Sequence, residues 1–255
     1  AQYLWQDITE GQVQRSASKK RWIIPNKYRA LRLNESFFKT ITAGFPQENA
    51  DLSFSAKNSN AIMSIPMPDG NTHLFRVAET FVMHPELAKK FPQIKTYEGY
   101  GVTNPTEYIR FDYTLEGFHA LIFTEKGMVY IDPYQQNDTE NYISYYKHDY
   151  QSAKNVSCHV VDEDNHAEEV KRLVENMRRN NERPSGATLL TYRAAVAATG
   201  EYTAFHGGTV AGALSAITTT MNRVSGVYQV ELSIRLQLIA NNNTIIYTNA
   251  TTDPY

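Results

Sequence analysis

The chain has 255 residues but a single cysteine, Cys158, and no long apolar run. One cysteine cannot form an intramolecular disulfide. A membrane helix needs about 18 or more consecutive apolar residues, and no segment provides them, so the sequence predicts no membrane span. The net charge is −2, and no basic cluster is longer than Lys19-Lys20-Arg21. The sequence therefore lacks the basic surface of a nucleic-acid-binding protein, and we expect no nucleic-acid partner.

The composition is that of a globular protein rich in strands. Hydrophobic residues make up 42% and charged residues 20%, and the chain has 17 tyrosines and 11 phenylalanines. Aromatic side chains fit the half-buried surface of a pleated sheet. We therefore expect an α+β protein with much β-structure.

The first 150 residues show antiparallel patterns. Ala61, Met63 and Ile65 alternate with polar residues, and Pro-Asp-Gly-Asn at 68–71 is a turn sequence, so a β-hairpin is predicted. Alternation also predicts a meander of three strands at 109–115, 118–122 and 128–131. Two shorter patterns predict a helix at 85–91 and an edge strand at 22–25. Residues 33–41 fit either a strand or a short helix.

A helical period replaces this alternation between residues 162 and 181. Apolar residues recur at i, i+3, i+4 and i+7 from Val170, with acidic residues before them and Arg178-Arg179 after them, as the helix dipole favours. Pro184 and Gly186 then interrupt the pattern. The sequence thus predicts a β-rich domain at 1–182, which ends in a connector helix, and a second domain at 183–255.

The second domain has a β-α-β-β pattern. A strand is predicted at 190–196, followed by a helix from Val210 to Val224 with Thr209 as its N-cap and Gly226 at its end. Alternation then predicts a strand at 230–238, and a last strand is expected at 244–248. A parallel or mixed sheet with a crossover helix accounts for this order.

Three strings in this region resemble the start of the catalytic domain of bacterial reprolysin-like zinc metallopeptidases, which are metzincins. They are Thr-Tyr-Arg-Ala-Ala-Val-Ala-Ala-Thr-Gly-Glu-Tyr at 191–202, His-Gly-Gly-Thr-Val-Ala-Gly-Ala-Leu at 206–214 and Met-Asn-Arg-Val at 221–224. The strings at 97–101, 117–120 and 130–134 are similar to the β-rich propeptide that precedes that domain. The resemblance implies an antiparallel propeptide domain followed by the incomplete α/β N-terminal subdomain of a metzincin-like catalytic domain.

The zinc motif of that family is missing. It is a His-Glu-x-x-His helix with a third histidine further on, whereas none of the seven histidines here is followed by glutamate. The resemblance implies zinc in the complete enzyme, with its site encoded after Tyr255. This chain alone is therefore predicted to bind no zinc and to be inactive, with no catalytic residue of its own.

The resemblance predicts the N-terminal portion of a secreted zinc metallopeptidase zymogen, whose propeptide keeps the peptidase latent and assists its folding. The start Ala1-Gln2 suits a chain released from a signal peptide. The expected partners are the protein's own catalytic domain and, for the complete enzyme, a peptide or protein substrate. The alternative is a non-enzymatic extracellular binding or adhesion module with a degenerate peptidase-like fold.

Cys158 is the candidate metal ligand, because a propeptide thiolate can occupy the open position of a catalytic zinc. The favoured alternative is a small buried residue on a strand. Arg178, Arg179 and Arg183 are candidates for the processing site, since a protease could enter this polar stretch. Charges that complement the helix C-terminus explain these arginines equally well.

Other residues favour structural roles. His159 and His166 fit no ligand spacing, and His206 is expected to pack or to face solvent. Gly207-Gly208-Thr209 has the ingredients of an anion site but fits a capped helix entry better. The tyrosines at 142, 145, 146 and 150 are interpreted as sheet packing rather than as a ligand platform.

Overall fold

A computed structural model describes residues 3–13, 19–49, 53–151 and 189–254. Cys158, His159, His166, the connector helix at 162–181, the arginines at 178, 179 and 183 and the boundary at 182/183 lie outside the described residues. Among the residues described, no helix combines the length and hydrophobicity needed to cross a lipid bilayer. The fold is α+β and rich in antiparallel strands, as expected.

Nine described strands form one antiparallel sheet in the order β1-β2-β9-β8-β7-β6-β5-β4-β3. Consecutive strands from β3 to β9 are neighbours, so the predicted hairpin and meander are both confirmed. At the hairpin turn Gly70 has a φ of +91°, which glycine adopts without strain. The strands are β1 (Trp5–Asp7), β2 (Arg29–Leu33), β3 (Ile62–Pro66), β4 (Thr72–Glu79), β5 (Lys95–Gly101), β6 (Tyr108–Thr114), β7 (Gly117–Thr124), β8 (Gly127–Pro133) and β9 (Asn141–Tyr146).

The sheet curls until its two edges approach each other. Trp5 on β1 donates its indole N–H to the carbonyl of Ser64 on β3, at 3.1 Å. The Ser144 hydroxyl donates to the carbonyl of Pro66 at 3.0 Å. Side chains thus satisfy carbonyl groups of strand β3, which lies at the edge of the sheet formed by the described strands. Phe75, Phe111 and Phe118 belong to the apolar core of this sheet.

Helix α1 (Glu35–Thr42) resolves the ambiguity at 33–41 in favour of a helix. Asn34 caps it by accepting a hydrogen bond from the Phe37 N–H at 3.0 Å. The predicted helix at 85–91 is confirmed as α2 (Pro85–Lys90). The edge strand predicted at 22–25 is wrong, because these residues are not a strand and pair with none of the described strands. The Trp22 ring packs on Phe205 instead, with ring centroids 5.3 Å apart.

The last described region contains β10 (Leu190–Ala194), α3 (Gly200–Phe205), α4 (Val210–Leu232) and β11 (Ile234–Leu238). Strands β10 and β11 pair in parallel, as a crossover helix requires. The apolar stripe of α4, which includes Leu214, Ile217 and Met221, shares a buried cluster with Leu238. The predicted strand, helix and parallel pairing are therefore confirmed.

The predicted end of this helix is wrong. Helix α4 continues through Gly226 to Leu232, and Ser233 ends it with a φ of +55°. A Cβ on Gly226 would lie 3.0 Å from Cγ of Arg110, so this glycine allows close contact between helix and sheet. The strand predicted from Val230 accordingly begins only at Ile234.

The strand predicted at 244–248 is also wrong. Residues Asn242–Ile245 form a 3-10 turn. The Asn242 side chain holds this turn by accepting from the Val196 N–H at 2.8 Å and donating to the Val196 carbonyl at 3.0 Å. The Thr244 hydroxyl also donates to the Asn241 carbonyl at 2.8 Å, and local hydrogen bonding of this kind competes with strand formation.

Candidate functional site at the interface of the sheet and helix α4

Helix α4 has a second buried face, which is polar. Thr219, Asn222, Arg223, Gly226 and Gln229 follow one another at helical spacing and contact the antiparallel sheet. The apolar stripe faces β11 instead. The helix is thus packed between two layers. Polar contacts join it to the antiparallel sheet, and apolar contacts join it to β11.

Asp112 on β6 is the first charged group under this face and is 1% exposed. The Thr219 hydroxyl donates to its Oδ1 at 2.7 Å, and the Asn222 amide donates to its Oδ2 at 3.3 Å. Nδ1 of His119 lies 3.4 Å from Oδ1. This buried carboxylate therefore takes its hydrogen bonds from the helix.

Asp132 on β8 forms the second contact. Arg223 Nη2 donates to its Oδ1 at 2.6 Å, and the Tyr145 hydroxyl donates to its Oδ2 at 2.8 Å. Burial acts to raise the pKa of Asp132, but the charges of Arg223 and His119 and these hydrogen bonds hold it below its usual value. Burial, with the adjacent Asp132 charge, raises the pKa of Tyr145, so its hydroxyl keeps the proton that it donates.

Arg110 is fully buried beneath Gly226. Its Nε donates to the Tyr108 hydroxyl at 2.6 Å, and its Nη2 donates to Oε1 of Gln229 at 2.5 Å. The Tyr108 hydroxyl in turn donates to Glu98 at 3.0 Å. Burial raises the pKa of Tyr108 well above its usual value, which keeps this donor protonated.

Arg235 on β11 completes the interface. It forms two hydrogen bonds with Glu48, from Nη1 at 2.8 Å and from Nη2 at 3.0 Å. The Thr80 hydroxyl donates to the same carboxylate at 2.7 Å. Paired hydrogen bonds between a guanidinium and a carboxylate are among the strongest in proteins.

An apolar cluster continues the interface beside α2. Val82, Met83 and Leu87 are buried against residues of α4 and β11. Backbone hydrogen bonds join the same parts, because the Leu238 N–H donates to the Val82 carbonyl at 2.7 Å and the His84 N–H donates to the Leu238 carbonyl at 2.9 Å. The two regions therefore share a core as well as ion pairs.

A smaller contact lies at the end of α3. Nδ1 of His206 is 2.6 Å from Oε1 of Glu116, and the Gln136 amide donates to the Phe205 carbonyl at 3.0 Å. Of the two roles expected for His206, packing or facing solvent, the structure shows packing. Thr209 accepts from the Gly212 N–H at 3.0 Å, which confirms it as the N-cap of α4.

This arrangement binds two layers together, and it does not fit a zinc site. Four buried carboxylates and three arginines lie at the interface and bond to one another or to polar side chains. They are Glu48, Glu98, Asp112, Asp132, Arg110, Arg223 and Arg235. Within the described ranges, no three His, Cys, Asp or Glu side chains form a group that could hold a metal ion.

The sequence patterns did not reveal the interface residues. Alternation along β6 separates Arg110 and Asp112 from Ile109 and Phe111, as in a strand with one solvated face. The available signal was the string Met-Asn-Arg-Val at 221–224, because Asn222 and Arg223 bind Asp112 and Asp132. The packing interpretation of Tyr142 and Tyr145 is confirmed, since both belong to buried clusters.

Comparison with known families agrees with the resemblance in the last region. Residues 188–255 match the model of the reprolysin-like metallopeptidases of family M12B, and a search among curated proteins gave no match. That family implies zinc and protein substrates for a complete enzyme. The segment that carries β10, α3, α4 and β11 is therefore similar to reprolysin-like peptidases.

Proposed function

We propose that this chain is the N-terminal portion of a secreted zinc metallopeptidase zymogen. Residues 1–182 act as the propeptide, and residues 183–255 form the first part of the catalytic domain. The zinc ligands are supplied by residues outside this chain. The propeptide assists the folding of the peptidase segment and keeps the peptidase latent.

The main support for this proposal is that the polar face of α4 forms its hydrogen bonds with the antiparallel sheet. Asn222 and Arg223 bind Asp112 and Asp132, and Arg235 binds Glu48. A buried polar group that loses its partner costs about 1–3 kcal/mol, and more if it is charged. The peptidase segment would therefore be less stable without the sheet, which is the property expected of a propeptide that assists folding.

The polar character of the interface also supports release. Interfaces between domains are more polar than domain interiors, so their groups can be hydrated after separation. The arginines and carboxylates of this interface fit that description. Latency then depends on the sheet staying bound to α4 and β11 until the chain is processed.

The test is to express the complete open reading frame that contains this chain. We expect a latent protein that hydrolyses a quenched-fluorescent casein only after cleavage between the sheet and residue 189, with activity abolished by 1,10-phenanthroline. Absence of a His-Glu-x-x-His motif from that frame, or activity that phenanthroline leaves intact, would contradict the proposal. A frame without the motif would favour the alternative, an extracellular binding or adhesion module.

Assistance in folding has its own test in the same full-length protein. Arg235→Met removes the pair with Glu48, whereas Arg193→Met changes an exposed arginine on the neighbouring strand β10. We expect Arg235→Met to lower the yield of processed, active peptidase several-fold and Arg193→Met to leave it unchanged. Equal yields from the two variants would contradict a role of the interface in folding.

The candidate residues outside the described ranges are tested separately. If Cys158 is an inhibitory zinc ligand, Cys158→Ala makes the full-length zymogen active without processing, and unchanged latency assigns it to the core. If Arg178, Arg179 or Arg183 marks the processing site, the mature enzyme begins between residues 179 and 187. N-terminal sequencing decides this point.

A further inference from the structure

A cavity of about 360 Å³ lies where the 19–28 segment, the sheet and helix α3 meet. The proposed zymogen function makes no use of it. A volume of this size falls in the range of ligand pockets, about 300–1,000 Å³. The lining residues that matter here are Trp22, Glu116, His119, Asp132, Gln136 and Phe205.

His119 is the unusual group in this cavity. It is 8% exposed, and its Nδ1 forms no hydrogen bond with any residue that the structure describes, although Asp112 lies 3.4 Å away. Nδ1 is buried against this carboxylate, so the Asp112–His119 pair belongs to the wall of the cavity and Nδ1 is out of reach of a ligand.

Two side chains of the lining, Glu116 and Gln136, each have an acceptor oxygen for a ligand. Glu116 uses Oε1 for His206, which leaves Oε2 as an acceptor. Gln136 uses its NH₂ group for the Phe205 carbonyl, which leaves Oε1. A ligand that binds these two oxygens must therefore bring donors.

No lysine or arginine is among the described residues that line the cavity. Arg223 lies behind the lining and is bound to Asp132, and two lysines lie near the mouth. Lys19 donates to the Asn137 carbonyl at 3.0 Å, and the Lys20 ammonium lies 5.5 Å from the Trp22 ring centre. Because Asp132 is paired with Arg223, Glu116 is the lining carboxylate that still has a free oxygen for a ligand. The cavity is thus suited to a ligand that carries one positive charge.

Two aromatic rings form the mouth of the cavity. Trp22 and Phe205 are each 48% exposed, and their ring centroids are 5.3 Å apart. Aromatic faces attract cations and also pack against methylene groups. An apolar stem that ends in a cation would satisfy both the mouth and the acceptors behind it.

We propose that this cavity binds the lysine or arginine side chain of a peptide. The cation lies between Oε2 of Glu116 and Oε1 of Gln136, and the methylene stem packs on Trp22 and Phe205. The binding site joins the sheet to the peptidase-like segment, because Phe205 and His206 belong to that segment. The proposal does not depend on the zymogen function.

The test is calorimetric titration of the full chain with Nα-acetyl-lysine methylamide and with the corresponding norleucine amide, which lacks the ammonium group. We expect the lysine compound to bind on the order of tenfold more tightly, in line with a partly desolvated cation contact. Equal affinity for the two compounds, or no saturable binding of the lysine compound at millimolar concentrations, would overturn the proposal.

Two variants locate the site. Glu116→Gln removes the charge, and we expect it to weaken lysine binding about tenfold while leaving norleucine binding unchanged. Glu35→Gln is the matched control, because Glu35 lines a separate cavity of about 480 Å³ and is paired with Lys39. Unchanged lysine affinity in Glu116→Gln, or equal losses in both variants, would place the ligand elsewhere and overturn the assignment.

Fluorescence provides a second measurement that does not rely on Glu116. The chain has two tryptophans, and Trp5 lies at the sheet seam, bonded to Ser64. Lysine binding should change the emission of the wild type and of Trp5→Phe but not that of Trp22→Phe. A change that persists in Trp22→Phe would contradict binding at this mouth. Thermal unfolding of each variant verifies that it is folded.

Discussion

Arg235 and Glu48 are separated by 187 residues, yet they form a two-point ion pair with distances of 2.8 and 3.0 Å. Arg235 belongs to the segment that resembles a peptidase, and Glu48 precedes the β3–β4 hairpin of the sheet. Their side chains are 7% and 1% exposed. The pair therefore connects the two regions in a place where water cannot replace either partner.

Replacement of Glu48 by alanine should destabilise the protein by about 3 kcal/mol, because the buried Arg235 loses its two-point partner and, of its described ion pairs, keeps only the longer one with Glu98, at 3.5 Å. The double variant Glu48→Leu/Arg235→Met should lose less than Glu48→Ala, since neither charge remains. Urea unfolding measures both. Asp7→Ala is the matched control: the Asp7–Arg29 pair is largely exposed at Asp7, and its loss should cost about 1 kcal/mol or less. Similar losses for Glu48→Ala and Asp7→Ala would contradict this account.

Asp132 makes the free energy of unfolding depend on pH, in a direction that follows from its lowered pKa. Its folded-state pKa lies below the usual value of 3.8, chiefly because Arg223 opposes the effect of burial. As the pH falls, the unfolded chain takes up the proton first, so the contribution of this carboxylate is complete above pH 3.8 and is lost as the pH falls through the folded-state pKa.

Asp132→Asn tests this direction. The difference in unfolding free energy between wild type and variant should be constant at neutral pH and should shrink as the pH falls below 3.8. Denaturant titrations at a series of pH values measure it. A difference that grows towards acid would show that the folded-state pKa is raised rather than lowered. Asp149→Asn provides a control at a residue outside this interface.

The antiparallel meander was predictable because it depends on local signals. Alternating residues and glycine turns specify strands and their connections, so β6, β7 and β8 follow from their own sequence. The curling of the sheet was not predictable, because Trp5 and Ser64 belong to strands 59 residues apart that do not pair. A strand pattern specifies which residues share a face, and it does not specify what will cover that face.

The same reason explains why the polar interface was missed. Arg110 and Asp112 alternate with Ile109 and Phe111, as on a half-solvated strand, yet both are at most 1% exposed because α4 covers them. The residues of α4 that satisfy them are ordinary polar residues at helical spacing. Only the approach of helix and sheet, which Gly226 permits, converts these two patterns into one network.

Gly226→Ala should be destabilising, although alanine is the better helix former by about 1 kcal/mol. The added Cβ would lie 3.0 Å from Cγ of Arg110, and Arg110 cannot move without loss of its hydrogen bonds to Tyr108 and Gln229. We expect a net loss of about 1–2 kcal/mol, as for other overpacked sites. Thr220→Ala, at an exposed position of the same helix, should stabilise slightly. Stabilisation by Gly226→Ala would show that the contact with Arg110 is not close.

Ser233→Gly should have the opposite effect. Ser233 ends α4 with a φ of +55° and donates its backbone N–H to the Tyr228 carbonyl. This left-handed conformation costs an L-residue about 1–2 kcal/mol, whereas glycine adopts it freely and loses part of the gain through its greater entropy in the unfolded chain. We expect a net stabilisation of about 0.5–1 kcal/mol, measured by thermal or urea unfolding. Asn137 also has a φ of +55°, but asparagine tolerates this region, so Asn137→Gly should gain less. Destabilisation by Ser233→Gly would contradict this account of the helix end. Helix α4 would then end elsewhere, and β11 would begin closer to Val230, where the alternating sequence predicts its start.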